Sequence, residues 1–260
     1  MTVTELSQQI YKRYGPVTRA RGCFLYTKKG KRLTDLYQED GRAILGWEGG
    51  SAFTQLKNVL SRGQTGSFIC EDKSRVEKAV STLLNSQRNV FFFSTLEHVT
   101  KAAIAVSMQN ISVYKPWLTY DAAWSAVDSV IIEPPLPWTA SVFILAVKKE
   151  CPLPEVIYSQ TKVPYALQVA ITRGIYNLID ALPKRTEKDF FIYDTVLTKY
   201  FERRGPYLDP KVPQEKYDDF VLHCLDNCVI INPEEGHSSI VPFSADKGVF
   251  TSLKNSPFEY

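Results

Sequence analysis

No apolar run in this chain is long enough to cross a bilayer; the longest clean one, "TASVFILAV", has the length of a strand. An export signal is also missing. "MTVTELSQQIYKRY" reads as a polar amphipathic helix with no apolar core segment, so the expectation is a cytoplasmic protein with no membrane partner. Charge of one sign is scarce: 31 Lys and Arg stand against 28 Asp and Glu, a net +3 mixed along 260 residues. Such a balance gives no basis for nucleic-acid binding. Paired cysteine spacing is absent. Cys23, Cys70, Cys151, Cys224 and Cys228 form an odd, scattered set, which points to reduced thiols and away from a disulfide framework. Repeats and low-complexity segments are absent as well.

What remains is ordinary globular composition, 44% hydrophobic and 23% charged, enough for one large domain or two modest ones. Residues 4 to 13 read as a helix, and "CFLYTKKGKRLTDLY" as a β-hairpin turning at Lys28-Lys29-Gly30-Lys31. A helix over about 52 to 62, capped by Ser51 and stopped by Gly63, is followed by one over about 72 to 85. "NVFFFSTLEHVTKAAIAVS" (89 to 107) is a buried strand that turns through Ser94-Thr95 into a helix. "ISVYK", "VDSVIIEPP" and "TASVFILAVKK" read as further strands. The alternation predicts a mostly parallel sheet with helices on its faces. Beyond about residue 163 the pattern changes. "PYALQVAITRGIYNLIDAL", "EKDFFIYDTVLTKYFERRG" and "EKYDDFVLHCLDN" read as helices, "CVIINP" and "SSIVPF" as strands, and a last helix is led by Ser244. This is a small α+β unit closing the chain.

In order, these pieces resemble the class III aminotransferases of the pyridoxal-phosphate (PLP) fold type I, with glutamate-1-semialdehyde aminomutase as the most similar pattern. "GPVTRARGCFLYTKKGKRLTDL" resembles the family's N-terminal hairpin, and "ILGWEGG" stands where an Ile-Leu-Gly-His turn is expected. "LSRGQTGSF" resembles the loop before the large domain, and "VDSVIIEP" resembles the strand ending in Glu-Pro. "FFFSTLEHVTKAA" matches the strand, phosphate turn and helix; "KVPYALQVAITRGIYNL" matches the helix after the active-site loop. The resemblance implies a reduced PLP-dependent transferase fold. Residues 1–50 are expected to pack on the small domain, 51–163 to form an abbreviated large α/β domain, and 164–260 to form the small C-terminal domain. It also implies a homodimer, since the family builds its sites across a dimer interface.

The departures carry the functional argument. In the family, a strand after Glu-Pro bears an aspartate for the pyridine nitrogen, and a later loop bears the Schiff-base lysine. Here "IIEPPLPWTASVFILAV" passes almost directly from one flanking strand to the other, and the segment between is missing. Without the lysine there is no covalent link to the cofactor, and without the carboxylate the ring is a poor electron sink. The family's ring-stacking aromatic with His-Gly is absent from "SVYKPWLTYDAAW". In the phosphate turn Ser94 and Glu97 match, Thr95 replaces glycine, and Leu96 replaces Thr or Ala.

The resemblance therefore leaves Ser94, Thr95, Glu97 and Glu133 as residual cofactor-site positions, with no catalytic residue and no metal ligand. Each has a simpler structural reading. Ser94 with Glu97 forms an S-x-x-E capping box, and Glu133 ends a strand. Lys148 and Lys149 follow a strand as exposed charges. His223, Cys224, Cys228 and His237 lack zinc spacing, His98 lacks triad partners, and Asp121 and Asp128 lack acid–base spacing. Tyr114, Trp117, Tyr120, Trp124 and Trp138 fall where the family's cofactor pocket lies and fill volume there. Three readings stay open. The first is a catalytically inactive aminotransferase-like protein with no bound PLP and a binding or regulatory role. The second is an active PLP-dependent or phosphorylated-ligand enzyme with a relocated site, taking a small anionic ligand. The third is an unrelated α/β binding protein.

Overall fold

A computed structural model describes residues 1–66, 70, 74–107, 111–118 and 123–260. In chain order the elements are α1 (Val3–Tyr14), β1 (Val17–Arg21), β2 (Phe24–Thr27), β3 (Arg32–Asp35), α2 (Gly50–Ser61), α3 (Ser74–Leu83), β4 (Arg88–Phe93), α4 (Leu96–Ser107), β5 (Ser129–Ile132) and β6 (Phe143–Lys148). Then follow α5 (Tyr165–Ala181), α6 (Glu187–Phe191), α7 (Asp194–Leu197), β7 (Phe201–Arg204), β8 (Tyr207–Pro210), α8 (Gln214–Asp226), β9 (Val229–Ile230), β10 (Ser239–Ile240) and α9 (Thr251–Asn255). They form two compact units, residues 1–48 with 185–260, and residues 49–184; α5 belongs to the second.

In the first unit α1 opens with a reciprocal cap between Thr2 and Glu5. Its last turn is tied to the C-terminal residues: Tyr14 donates to the Leu225 carbonyl at 2.8 Å, and Arg13 pairs with Asp226 at 2.7 Å. The hairpin expected around Gly30 is present, with β2 and β3 antiparallel and Gly30 at φ +75°. β1 extends this sheet on one side and β9, parallel to β3, on the other. The long helix expected over 187–205 is not formed. Two short helices, α6 and α7, give way to β7, which pairs antiparallel with β8 around Gly205 and Pro206. Gly205 adopts φ +55° and Pro206 lacks the N–H a helix would need, so the chain reverses there.

The second unit is built on the sheet β4–β6–β5. The expectation of a mostly parallel sheet is corrected: β6 runs antiparallel to both neighbours. A parallel return from β5 needs a crossover of a dozen or more residues, and the short connection 133–142 forces reversal. "ISVYK" forms no strand of its own; Val113 makes an isolated parallel bridge to Ile131. One sheet face, with Phe91, Phe93, Ile131, Leu145 and Val147, packs on Val99, Ala102 and Ala103 of α4. The alternate residues Val90, Phe92, Val130, Ile132, Ile144 and Ala146 are equally buried, as expected for strands covered on both faces. α3 packs on β4, and α2 and α3 each pack on α5. Ser51 is not the cap of α2. Gly49 holds that position with φ +67°, and the Ser51 hydroxyl donates to Asn177 Oδ1 at 2.9 Å.

Candidate functional site

Because β4 and β5 both run against β6, they run parallel to each other and end at one edge of the sheet. Phe93 pairs with Phe143, and Ile132 with Ile144. Ser94 leaves the end of β4 and Glu133 the end of β5, so the fold brings the predicted positions to a common edge. Two strand spacings put them roughly 10 Å apart. This is the edge where α/β sheets gather ligands.

The turn into α4 departs from the S-x-x-E pattern. β4 pairing runs through Phe93, which makes Thr95 the first residue outside the helix; its Oγ1 accepts the His98 N–H at 3.2 Å, and its carbonyl accepts from Val99. Thr95 is thus the N-cap, and the residue three places on is His98. Glu97 instead pairs with Lys101 one turn further along, on the exposed face of α4. That pairing holds its carboxyl below the ordinary carboxylate range. Ser94 is half-buried, Thr95 and Glu97 are exposed, and Leu96 is 53% exposed at the mouth of the turn. Glu133 is half-buried.

The connection from Glu133 to Val142 covers this edge. Three prolines, Pro134, Pro135 and Pro137, restrict its backbone, and the Thr139 hydroxyl closes it by donating to the Leu136 carbonyl at 2.6 Å. Leu136 is buried against α5, where a Cβ on Gly174 would meet its Cγ at 3.0 Å. The Trp138 ring lies against Gly49 and makes an edge contact with Phe53 at 6.1 Å. Trp138 Nε1 is buried and has no hydrogen-bond partner among the described residues.

The remaining aromatics do not share this place. The Trp124 carbonyl accepts from Arg88 at the amino end of β4, the opposite edge of the sheet, and its ring meets Tyr114 in a tilted contact at 5.6 Å. Trp117 donates to the Leu182 carbonyl at 3.2 Å. Tyr120 and Asp121 lie outside the described residues. The expectation of one filled aromatic pocket therefore reduces to Trp138. Lys148 is also at the wrong edge: it pairs in register with Arg88, five residues and roughly 17 Å along the strand from Phe143. Its ammonium faces Asp128 at 3.4 Å. Sequence reasoning did not single out Lys162. The N–H of the preceding Thr161 donates to the Phe92 carbonyl at 2.7 Å, which places this exposed lysine beside the end of β4. The bond is non-local and leaves no mark in the local pattern.

His223 bonds the Ser256 carbonyl, Cys224 is buried in α8, and His237 faces Asp40 at 3.4 Å. Among the described residues no group of three His, Cys, Asp or Glu side chains is placed to hold a metal, and no helix is long and apolar enough to cross a membrane.

No family model matches the chain. Its fold is that of the aminotransferases. It superposes on ornithine aminotransferase from Plasmodium yoelii with a TM-score of 0.66 at 13% identity, covering 98% of this chain and 100% of that one. An acetylornithine aminotransferase from Elizabethkingia anophelis gives 0.59 at 11%, covering 96% of each chain. A serine palmitoyltransferase from S. paucimobilis gives 0.64 at 9%, with 98% and 97% covered. In sequence the chain is similar to an "Uncharacterized protein" of Treponema pallidum, 23% identical over 285 residues, covering 90% of this chain and 91% of the relative. One from Borreliella burgdorferi is 24% identical over 250 residues, covering 93% and 90%.

The connection 133–142 contains neither a lysine nor an aspartate, and the turn 94–97 contains no glycine. Leu136 and Trp138 seal the connection against two helix glycines.

Proposed function

We propose that this is an aminotransferase-like protein, resembling glutamate-1-semialdehyde aminomutase in pattern, that does not bind PLP covalently and acts by binding or regulation. The observation that carries the reading is the connection 133–142. It joins β5 directly to β6, carries no lysine, and is seated by Leu136 and Trp138 against α5 and α2. On this reading Ser94, Thr95, Glu97 and Glu133 are a retained scaffold: Thr95 caps α4, Glu97 supports its exposed face, and Glu133 closes β5. A homodimer and a cytoplasmic location belong to the same reading; sedimentation velocity tests the first.

One observation favours a second reading, an active enzyme with a relocated site. Lys162 stands next to the residue bonded to Phe92, beside the end of β4. Titrating the full chain with PLP and following its visible absorbance separates the two. The first reading expects the spectrum of free PLP throughout. A saturable shift at one equivalent, lost in Lys162→Met, establishes the second.

A further inference from the structure

We infer that residues 49–184 carry a binding site for a small organic anion, a carboxylate or phosphoryl group on an apolar body, in the cleft where α2, α3 and α5 meet. The cleft has a volume of about 360 Å³, within the range of small-molecule sites. One wall is a single face of α5: Tyr165, Gln168, Val169, Thr172, Arg173 and Tyr176 follow the i, i+3, i+4 spacing that lines one side of a helix. α3 faces it with Arg75 and Lys78. Lys78 and Arg173 thus bring two cations to one concavity whose described lining holds no Asp or Glu.

The geometry favours a ligand over a solvated face. Arg173 is held by its Nε, which donates to Ser51 Oγ at 2.9 Å, and Ser51 is itself anchored to Asn177. This leaves the two Nη groups, the fork that grips carboxylates and phosphates, without a partner among the described residues. Gln168 is similarly oriented: its Nε2 donates to the Val163 carbonyl at 2.7 Å, so its position is fixed and its Oε1 stays available. The Tyr165 and Tyr176 rings with Val76 and Val169 supply apolar walls for a ligand body. This site lies on helices, away from the strand-end edge, and stands whether or not that edge binds anything.

Isothermal titration of the full chain with phenyl phosphate and with phenylacetate tests it, with benzyl alcohol as the neutral control. The expected result is saturable one-site binding of at least one anion, none of the alcohol, and affinity that falls as salt rises. Arg173→Gln and Lys78→Gln, both exposed positions, should each weaken binding by about tenfold while leaving circular dichroism and Tm without ligand unchanged. Ser51→Ala, which frees the guanidinium but keeps its charge, should weaken it less. Absence of saturable binding, equal binding of benzyl alcohol, or affinity untouched by both substitutions and by salt overturns the inference. So does a change in sedimentation on either substitution without anion binding, which would make this face a protein contact.

Discussion

The ring of Trp138 occupies the space that a side chain on Gly49 would need. Gly49 also sits at φ +67°, where a Cβ costs about 1–2 kcal/mol by itself. Gly49→Ala should therefore destabilise the protein by more than this strain alone. In a Trp138→Ala background the same change should cost only about 1–2 kcal/mol, the strain without the overlap. A double-mutant cycle by urea unfolding measures the difference. Additive costs would mean that the ring does not lie against α2.

Thr95, and not Ser94, should behave as the cap of α4. Thr95→Ala is expected to cost about 1 kcal/mol, while Ser94→Ala should cost a few tenths. Equilibrium unfolding of the two variants reads this directly. The reverse order would restore the Ser94–Glu97 box.

That one-residue displacement shows where local pattern stops. "FFFSTLEH" offers two cap candidates of similar chemistry, and the choice is made by how far β4 pairs with β6, a long-range fact. Strand direction is hidden for the same reason. A run such as "FILAV" is buried on both faces whichever way it points, so its apolar signal says nothing of its antiparallel pairing. The hairpin around Gly30 was legible because turn and alternation are both local. Residues 201–210 were not: "LTKYFERR" carries apolar and charged residues at spacings a helix also shows, and the Gly205–Pro206 turn decides. Of the candidate site, the short 133–142 connection was visible as missing sequence. The seating of Leu136 and Trp138 on Gly174 and Gly49 was not, since those glycines lie on distant helices.

Arg88 is fully buried, and its guanidinium donates to the carbonyls of Val127, Asp128 and Trp124. It therefore holds the turn that leads into β5. Arg88→Met should expose three carbonyls to an apolar interior and cost about 2–4 kcal/mol, read by urea unfolding. A neutral result would show that the turn stands without it.

Burial raises the Asp35 carboxyl from 3.8 to about 6, against the lowering effect of hydrogen bonds from Gln38 N, Trp47 Nε1 and Tyr37 N. Folding thus favours the protonated form. That contribution is complete below the unfolded value and is lost as pH rises through about 6. The stability of the native protein relative to Asp35→Asn should fall, by up to roughly 3 kcal/mol, between about pH 4 and pH 7. Urea unfolding of both proteins across that range checks the sign. A relative stability that rises with pH would show that the carboxylate is the favoured form.

The central claim, that no lysine of this fold forms a Schiff base with PLP, is tested most directly by chemical trapping. The full chain is mixed with excess PLP, reduced with borohydride, digested, and each lysine's labelling quantified by mass spectrometry. The account predicts labelling that is scattered over exposed lysines and well below one equivalent at any of them. One lysine labelled to a full equivalent would contradict it, and that lysine being Lys162 would identify the relocated site.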